Sequence, residues 1–272
     1  MATIVPAAPK PPLRQPWNVS STLGVIVFFI VVIALVGVFA PTSIRLAVWI
    51  GTLILLTLFL LVLGRGITGQ WLGFLIDKRK KMSLSRLQLG LWLLLLGSAF
   101  LVAALTNLHI VMFSVPVNAL SITIPPELLA LFGVSATSFA GASVILNAKT
   151  NAQQQKDYTV AQNQTPQVAY RVDQNQSPTE ASWYDMFKGD DEANADYLDL
   201  SKVQMFFLTI ILVLVYGVAL GTLFMGVGDG VSPTTLAITA FPTLSATMVT
   251  LLGISQAGYL AYKAVPRNSA NP

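Results

Sequence analysis

Cysteine is absent from the chain, and histidine occurs once, at His109. Disulfides, thiolate metal sites and a histidine-based metal cluster within one chain are therefore excluded. No cofactor is expected. Charge is nearly as scarce. Asp, Glu, Lys and Arg make up 10% of 272 residues, whereas soluble domains carry roughly 25%. A water-facing surface is not built from so little charge. With 54% hydrophobic residues, the composition is that of an integral membrane protein. The formal net charge of +4 matters less than where its charges lie, and no nucleic-acid partner is expected.

What is abundant is long apolar runs. A helix crosses the bilayer core with about 20 apolar residues. Six runs qualify: Ser21–Ala40, Ile44–Leu63, Leu87–Leu105, Leu128–Leu146, Val203–Phe224 and Leu244–Ala264. The first is read as a retained span, not a cleaved signal peptide. It is long for a signal core, and Pro41 stands where cleavage would have to occur. With six spans, Lys10, Arg14, the cluster from Arg65 to Arg86, the five cations from Lys149 to Lys202, and Lys263 and Arg267 all fall on one side. Only Arg45 falls on the other. The positive-inside rule then places both termini in the cytoplasm of a multi-pass cell-membrane protein.

The segments between spans differ in character. Residues 1–20 read as a disordered cytoplasmic leader, and 21–64 as an N-terminal two-span hairpin. Residues 65–82 form a basic loop, with Lys78, Arg79, Lys80 and Lys81 facing anionic headgroups. The positive-inside bias alone would also explain that charge. Residues 149–199 hold nine of the twelve acidic residues and many Gln and Asn. They read as a mostly disordered cytoplasmic linker, with 180–199 as its most foldable piece and a docking place for a cytoplasmic protein. Residues 267–272 are a tail.

A phrase recurs. "SLSRLQ" precedes one span and "DLSKVQ" another. Ser85 with Gln88, and Ser201 with Gln204, fit a capping box that satisfies free N–H groups at a helix start. Further on, "LLALFGVSATSFAG" parallels "MVTLLGISQAGYLA". The period is about 116–120 residues. It defines two parallel two-span units, 83–148 and 200–266, related by an axis near the membrane normal. The expected fold is all-α, with six transmembrane helices and this internal repeat. In its LSR-x-Q openings and G-I-S-x-x-G ending, the chain resembles an uncharacterised bacterial family of multi-span membrane proteins, over approximately 65–148 and 200–266. That resemblance implies a membrane fold and no particular activity.

Gly133, Thr137 and Gly141, like Gly253, Ala257 and Ala261, lie four residues apart, a spacing that lets helices approach closely. Gly133-Val-Ser135 and Gly253-Ile-Ser255 also match the G-x-S of intramembrane serine proteases. A nucleophilic serine needs an adjacent base, and His109 lies near the far end of its span. Gly226-Val-Gly228-Asp229 and Tyr184-Asp185 match aspartyl-protease motifs, but they fall on opposite membrane sides, and a Gly-rich turn explains the former. No ionisable residue lies mid-membrane, where coupled transport usually needs one. Ser135, Thr137, Ser138, Ser255 and Gln256 can line a polar path or hydrogen-bond neighbouring helices. The sequence thus favours a non-catalytic, self-associating scaffold or sensor that presents its linker to a partner. The alternative is a channel or facilitator for a small solute or ion, with an intramembrane enzyme a distant third.

Overall fold

The computed structural model describes residues 19–114, 116–163, 171–226 and 237–265. Residues 1–18 of the leader, the tail, and residues 227–229 of the Gly-rich turn lie outside the described residues. Among the described residues six α-helices follow in order: α1 (Val19–Phe39), α2 (Arg45–Thr68), α3 (Leu84–Phe113), α4 (Pro126–Asn163), α5 (Leu200–Met225) and α6 (Ala246–Ala264). No strand occurs among the described residues. Four helical stretches are long and apolar enough to cross a membrane: Thr42–Thr68, Leu84–Phe113, Pro126–Gln153 and Leu200–Met225. A shorter apolar stretch, Leu23–Phe39, belongs to α1. α6 is not among the four, because Ser255, Gln256 and Lys263 interrupt its apolar run.

α3 is the central helix. It packs on α1, α2, α4 and α5, while α6 lies against α4 and α5. Trp92, Ala99, Val102 and Ala103 on α3 are fully buried. Trp49 of α2 joins α3 to α5, donating to Ser98 Oγ at 3.0 Å and stacking on Phe224 with centroids 5.2 Å apart. Elsewhere large apolar side chains point outward, including Phe28, Ile54, Leu93, Val144, Leu214 and Ile254. A helix bundle that is apolar outside as well as inside suits a lipid surrounding.

At the end of the bundle reached by the C-terminus of α3, the α3–α4 and α5–α6 connections pair. Thr123 N–H donates to Thr239 O at 2.7 Å, and Phe241 N–H to Thr123 O at 3.0 Å. Asn107 holds this junction from below. Its amide donates to Ile238 O at 2.9 Å, and its oxygen accepts from Ile238 N–H at 2.8 Å. His109 is occupied at the same end, with Nδ1 2.7 Å from Val38 O.

The opposite end contains the main departure from the sequence reading. The expected disordered linker is folded over 171–199. Its scaffold is three short 3-10 turns, Pro178–Glu180, Trp183–Met186 and Glu192–Asn194. Two isolated antiparallel bridges, Val172 with Asp191 and Lys188 with Leu198, close its loops. α4 also continues past the expected span end to Asn163. Polar composition misleads here because ion pairs and capping turns, more than apolar burial, order the segment. It also buries Met186 against Leu75, Met82 and Leu84, so it sits as a cap on the helix ends.

Two glycines shape the loop beneath the cap. α2 ends at Gly69, whose φ of 75° is the left-handed conformation that favours glycine. The turn at Gly73–Leu75 then folds back so tightly that a Cβ on Gly64 would meet Phe74 N at 2.9 Å and Trp71 O at 3.0 Å.

Candidate functional site: a buried ion-pair cap over a polar seam

The cap is held by Asp190 and Asp191. Asp190, 6% exposed, lies among three cations from three parts of the chain. Lys263 of α6 is 2.6 Å away, Arg79 of the α2–α3 loop 2.7 Å, and Lys202 of α5 3.1 Å. Asp191 pairs with Lys149 of α4 at 2.8 Å, and Lys149 also donates to Val265 O at 2.9 Å. Two adjacent carboxylates thus tie the cap to α4, α5, α6 and the loop before α3. Arg79 bonds Asp77 as well, at 2.9 Å, and Lys81 pairs with Asp173.

Burying charges costs several kcal/mol per ion unless each is paired and hydrogen-bonded. This cluster meets that condition through multiplicity. Burial alone would push the Asp190 carboxyl up, but Lys202, Lys263 and Arg79 outweigh it and hold it well below the usual carboxylate range. For Arg79 burial lowers the basicity, and Asp190 and Asp77 more than restore it, so the net shift is upward. Both groups are charged at neutral pH. A cavity of about 10 Å³ remains among Lys149, Asp190, Asn194 and Lys263. That holds one water at most, so the cluster is a clasp with no room for a larger ligand.

Beneath the clasp lies a polar seam inside the bundle. Gln88 of α3 donates to Thr209 Oγ1 and to Met205 O on α5, the latter at 3.4 Å. Its own oxygen accepts from Gln256 Nε2 of α6 at 2.9 Å. Ser85 Oγ lies 3.5 Å from the Tyr259 hydroxyl. The seam continues into groups without partners. The hydroxyls of Ser135, Ser138 and Ser255 and Oε1 of Gln256 are buried with no hydrogen bond among the described residues.

These positions correct two expectations and bear on a third. The capping boxes do not form. α3 begins at Leu84 with Ser83 as its N-cap and no side-chain cap bond. Ser85 is therefore already helical, and Gln88 crosses to α5 and α6. At α5 the cap is Asp199, whose carboxylate accepts from Ser201 N–H at 3.0 Å and Lys202 N–H at 3.3 Å. A carboxylate two residues earlier is the stronger acceptor at a positive helix end. It displaces Ser201 from the role, and Gln204 points outward.

The small-residue stripes are the second correction. A Cβ on Gly133 or on Gly253 would meet nothing within 4 Å. Thr137, Ala257 and Ala261 are exposed. Of the three glycines Gly141 alone approaches another helix, with Leu260 Cδ1 3.3 Å from its Cβ position. The buried positions nearby are instead Ser135 and Ser138 on α4 and Ser255 and Tyr259 on α6.

The third concerns the basic run. Of Lys78, Arg79, Lys80 and Lys81, Arg79 and Lys81 turn into the cap as ion-pair partners, and Lys80 donates to Gln176 O at 2.6 Å. Their counter-charges come from the protein, which leaves Lys78 as the exposed member.

Sequence reasoning missed Asp190 and Asp191. The available signal was that the only acid-rich segment follows Lys149 and precedes Lys202, with Lys263 at the last span edge. No family model, curated protein or solved structure matches this chain.

Proposed function

We propose that the chain is a non-catalytic integral membrane scaffold or sensor. It has six spans, both termini in the cytoplasm, and residues 171–199 as a cytoplasmic cap in place of a loose linker. The observation that carries this reading is the Asp190–Asp191 clasp. One short segment bonds cations on α4, α5, α6 and the α2–α3 loop, so a force or partner acting on the cap acts on all of them at once. The surface available to a partner is aromatic: Trp183, Tyr184 and Tyr197 are 50%, 74% and 65% exposed. Self-association would use the outward stripes at Gly133, Gly253, Ala257 and Ala261, since small residues favour close helix contact in lipid.

Six spans follow when α1 and α6 join the four longer helices. That count keeps the cap and its cations on the positive-inside face. The contact of Gly141 with Leu260 pairs the two proposed repeat units near their equivalent positions. On this reading the units have diverged at their starts, since Gln204 is exposed where Gln88 is buried. The test is accessibility in cells, convenient because the chain has no cysteine. A cysteine at Leu120 should react with an impermeant maleimide in intact cells, and one at Tyr184 only after permeabilisation. Reaction of the Tyr184 position in intact cells refutes the orientation.

A second reading, a facilitator for a small polar solute, is favoured by the unpartnered hydroxyls of Ser135, Ser138 and Ser255. In proteoliposomes it requires solute flux that falls when Ser135 and Gln256 are replaced by Ala and Leu. The scaffold reading requires flux equal to that of empty vesicles.

A further inference from the structure

Where α2 ends, a groove of about 450 Å³ opens beside the loop that leads to α3, within the usual size range of ligand sites. Its floor is apolar: Leu60, Leu63 and Ile67 of α2, then Phe74 and Ile76 of the loop. Its rim carries Lys78 and Arg86. Arg79 and Lys81 nearby are held by carboxylates, but these two pair with none among the described residues. Arg86 donates to Phe74 O at 3.4 Å and lies 5.8 Å from the Phe139 ring centroid. Asp77 also lines the groove, but its oxygens are held by the Arg79 side chain at 2.9 Å and the Arg79 N–H at 2.9 Å.

The level of the groove is fixed by Trp71, half exposed, with Arg65 stacked over its ring at 4.6 Å. Tryptophan and arginine in that relation belong at the headgroup boundary. Just inside it the apolar side chains of α2 face the groove, and at its mouth sit the two uncompensated cations. We infer that this groove binds one anionic phospholipid of the cytoplasmic leaflet. The phosphate lies between Lys78 and Arg86, and an acyl chain lies along Leu60, Leu63 and Ile67. The site differs from diffuse attraction to a basic run, because Arg79 and Lys81 are neutralised by the cap and take no part. The inference rests on α2 and α3 being membrane spans.

The test is native mass spectrometry of the detergent-purified full chain, offered phosphatidylglycerol or phosphatidylcholine at equal mole fraction. One phosphatidylglycerol should be retained in preference to phosphatidylcholine. Each basic residue near a membrane surface is worth about 1 kcal/mol. Lys78→Gln should therefore weaken retention about fivefold, and Lys78→Gln with Arg86→Gln about thirtyfold. Lys80→Gln, which removes a cation that does not line the groove, should change nothing. Equal retention of phosphatidylcholine, or unchanged retention in Lys78→Gln, overturns the proposal. So does displacement of the lipid by millimolar inorganic phosphate, which marks a free-anion site. Lys78 is exposed, so the single variant decides the matter even where the double variant fails to fold. Carbonate extraction separates the two layers of the inference. Chain in the pellet without retained lipid refutes only the groove, whereas chain in the supernatant refutes the spans.

Discussion

Asp190→Asn is the substitution expected to do most damage for least change in shape. The asparagine fits the same space, yet three cations lose a formal counter-charge. Their fallback partners differ. Arg79 keeps Asp77, and Lys202 keeps the carbonyl of Lys188. Lys263, 5% exposed, is left with the Tyr259 ring at 5.3 Å. Breaking a buried pair by removing one partner costs about 3–5 kcal/mol, chiefly for the charge left behind. At about 2–4 °C per kcal/mol for chains of this order, the melting midpoint should fall by roughly 6–20 °C. Tryptophan fluorescence during a thermal ramp in detergent reads this directly, and limited proteolysis within 171–199 reports whether the cap is what loosens. Removing the stranded cation should repair much of the loss, since apolar replacements of a whole buried pair are often near neutral. Asp190→Asn with Lys263→Met should therefore melt above Asp190→Asn alone. A single variant within about 2 °C of the parent, with unchanged cleavage in the cap, would show that the clasp does not hold it.

The same carboxylate sets a pH dependence. Its folded-state pKa is depressed, so its contribution is fully present above the unfolded value near 3.9 and is lost as pH falls toward the folded one. The gap in melting midpoint between parent and Asp190→Asn should stay constant from about pH 7 to about pH 5 and begin to narrow below about pH 4; a gap that closes by pH 6 would contradict this. At the start of α5, Asp199→Ala should cost about 0.5–2 kcal/mol because it removes the N-cap, read as a lower denaturation midpoint. Ser201→Ala should cost clearly less, and the reverse ranking would restore the serine as the cap. Gly73→Ala should destabilise the chain strongly, because the new Cβ would run into the Gly64 carbonyl. Gly133→Leu should leave the melting midpoint alone and, where the outward stripe joins two copies, shift the size-exclusion profile to smaller species.

The helices were legible because the physics is one-dimensional. A run such as Val203–Phe224 must be helical to satisfy its own backbone in lipid, and no partner need be known. Gln88 was visible as a polar residue at a span entrance, but its local role competes with a distant one. Only the position of α6 reveals that Gln256, 168 residues away in sequence, takes its carbonyl oxygen. Likewise Gly133 and Gly253 share the spacing of a packing motif, and rotation about the helix axis decides whether that face meets a neighbour. Ser135 and Ser255, two positions on, are the ones turned inward. The cap was hidden for a further reason. Asp190 sits in a stretch whose polarity resembles a disordered linker, and its order comes from cations that the chain contributes at Arg79, Lys202 and Lys263. Composition counts such charges, but it does not pair them.

Hydrogen–deuterium exchange of the chain in lipid nanodiscs tests the folded cap most directly. The amides of Asp173, Asn175, Glu192 and Asp199 donate to backbone carbonyls at 2.7–3.0 Å, those of Asp190, Arg79, Arg171 and Phe187 in turn. Peptides covering 171–199 should be strongly protected at neutral pH, and Asp190→Asn should release that protection while the exchange of α3 and α5 stays slow. Exchange of 171–199 in the unsubstituted chain at the rate of an unstructured peptide would contradict the cap, and the clasp with it.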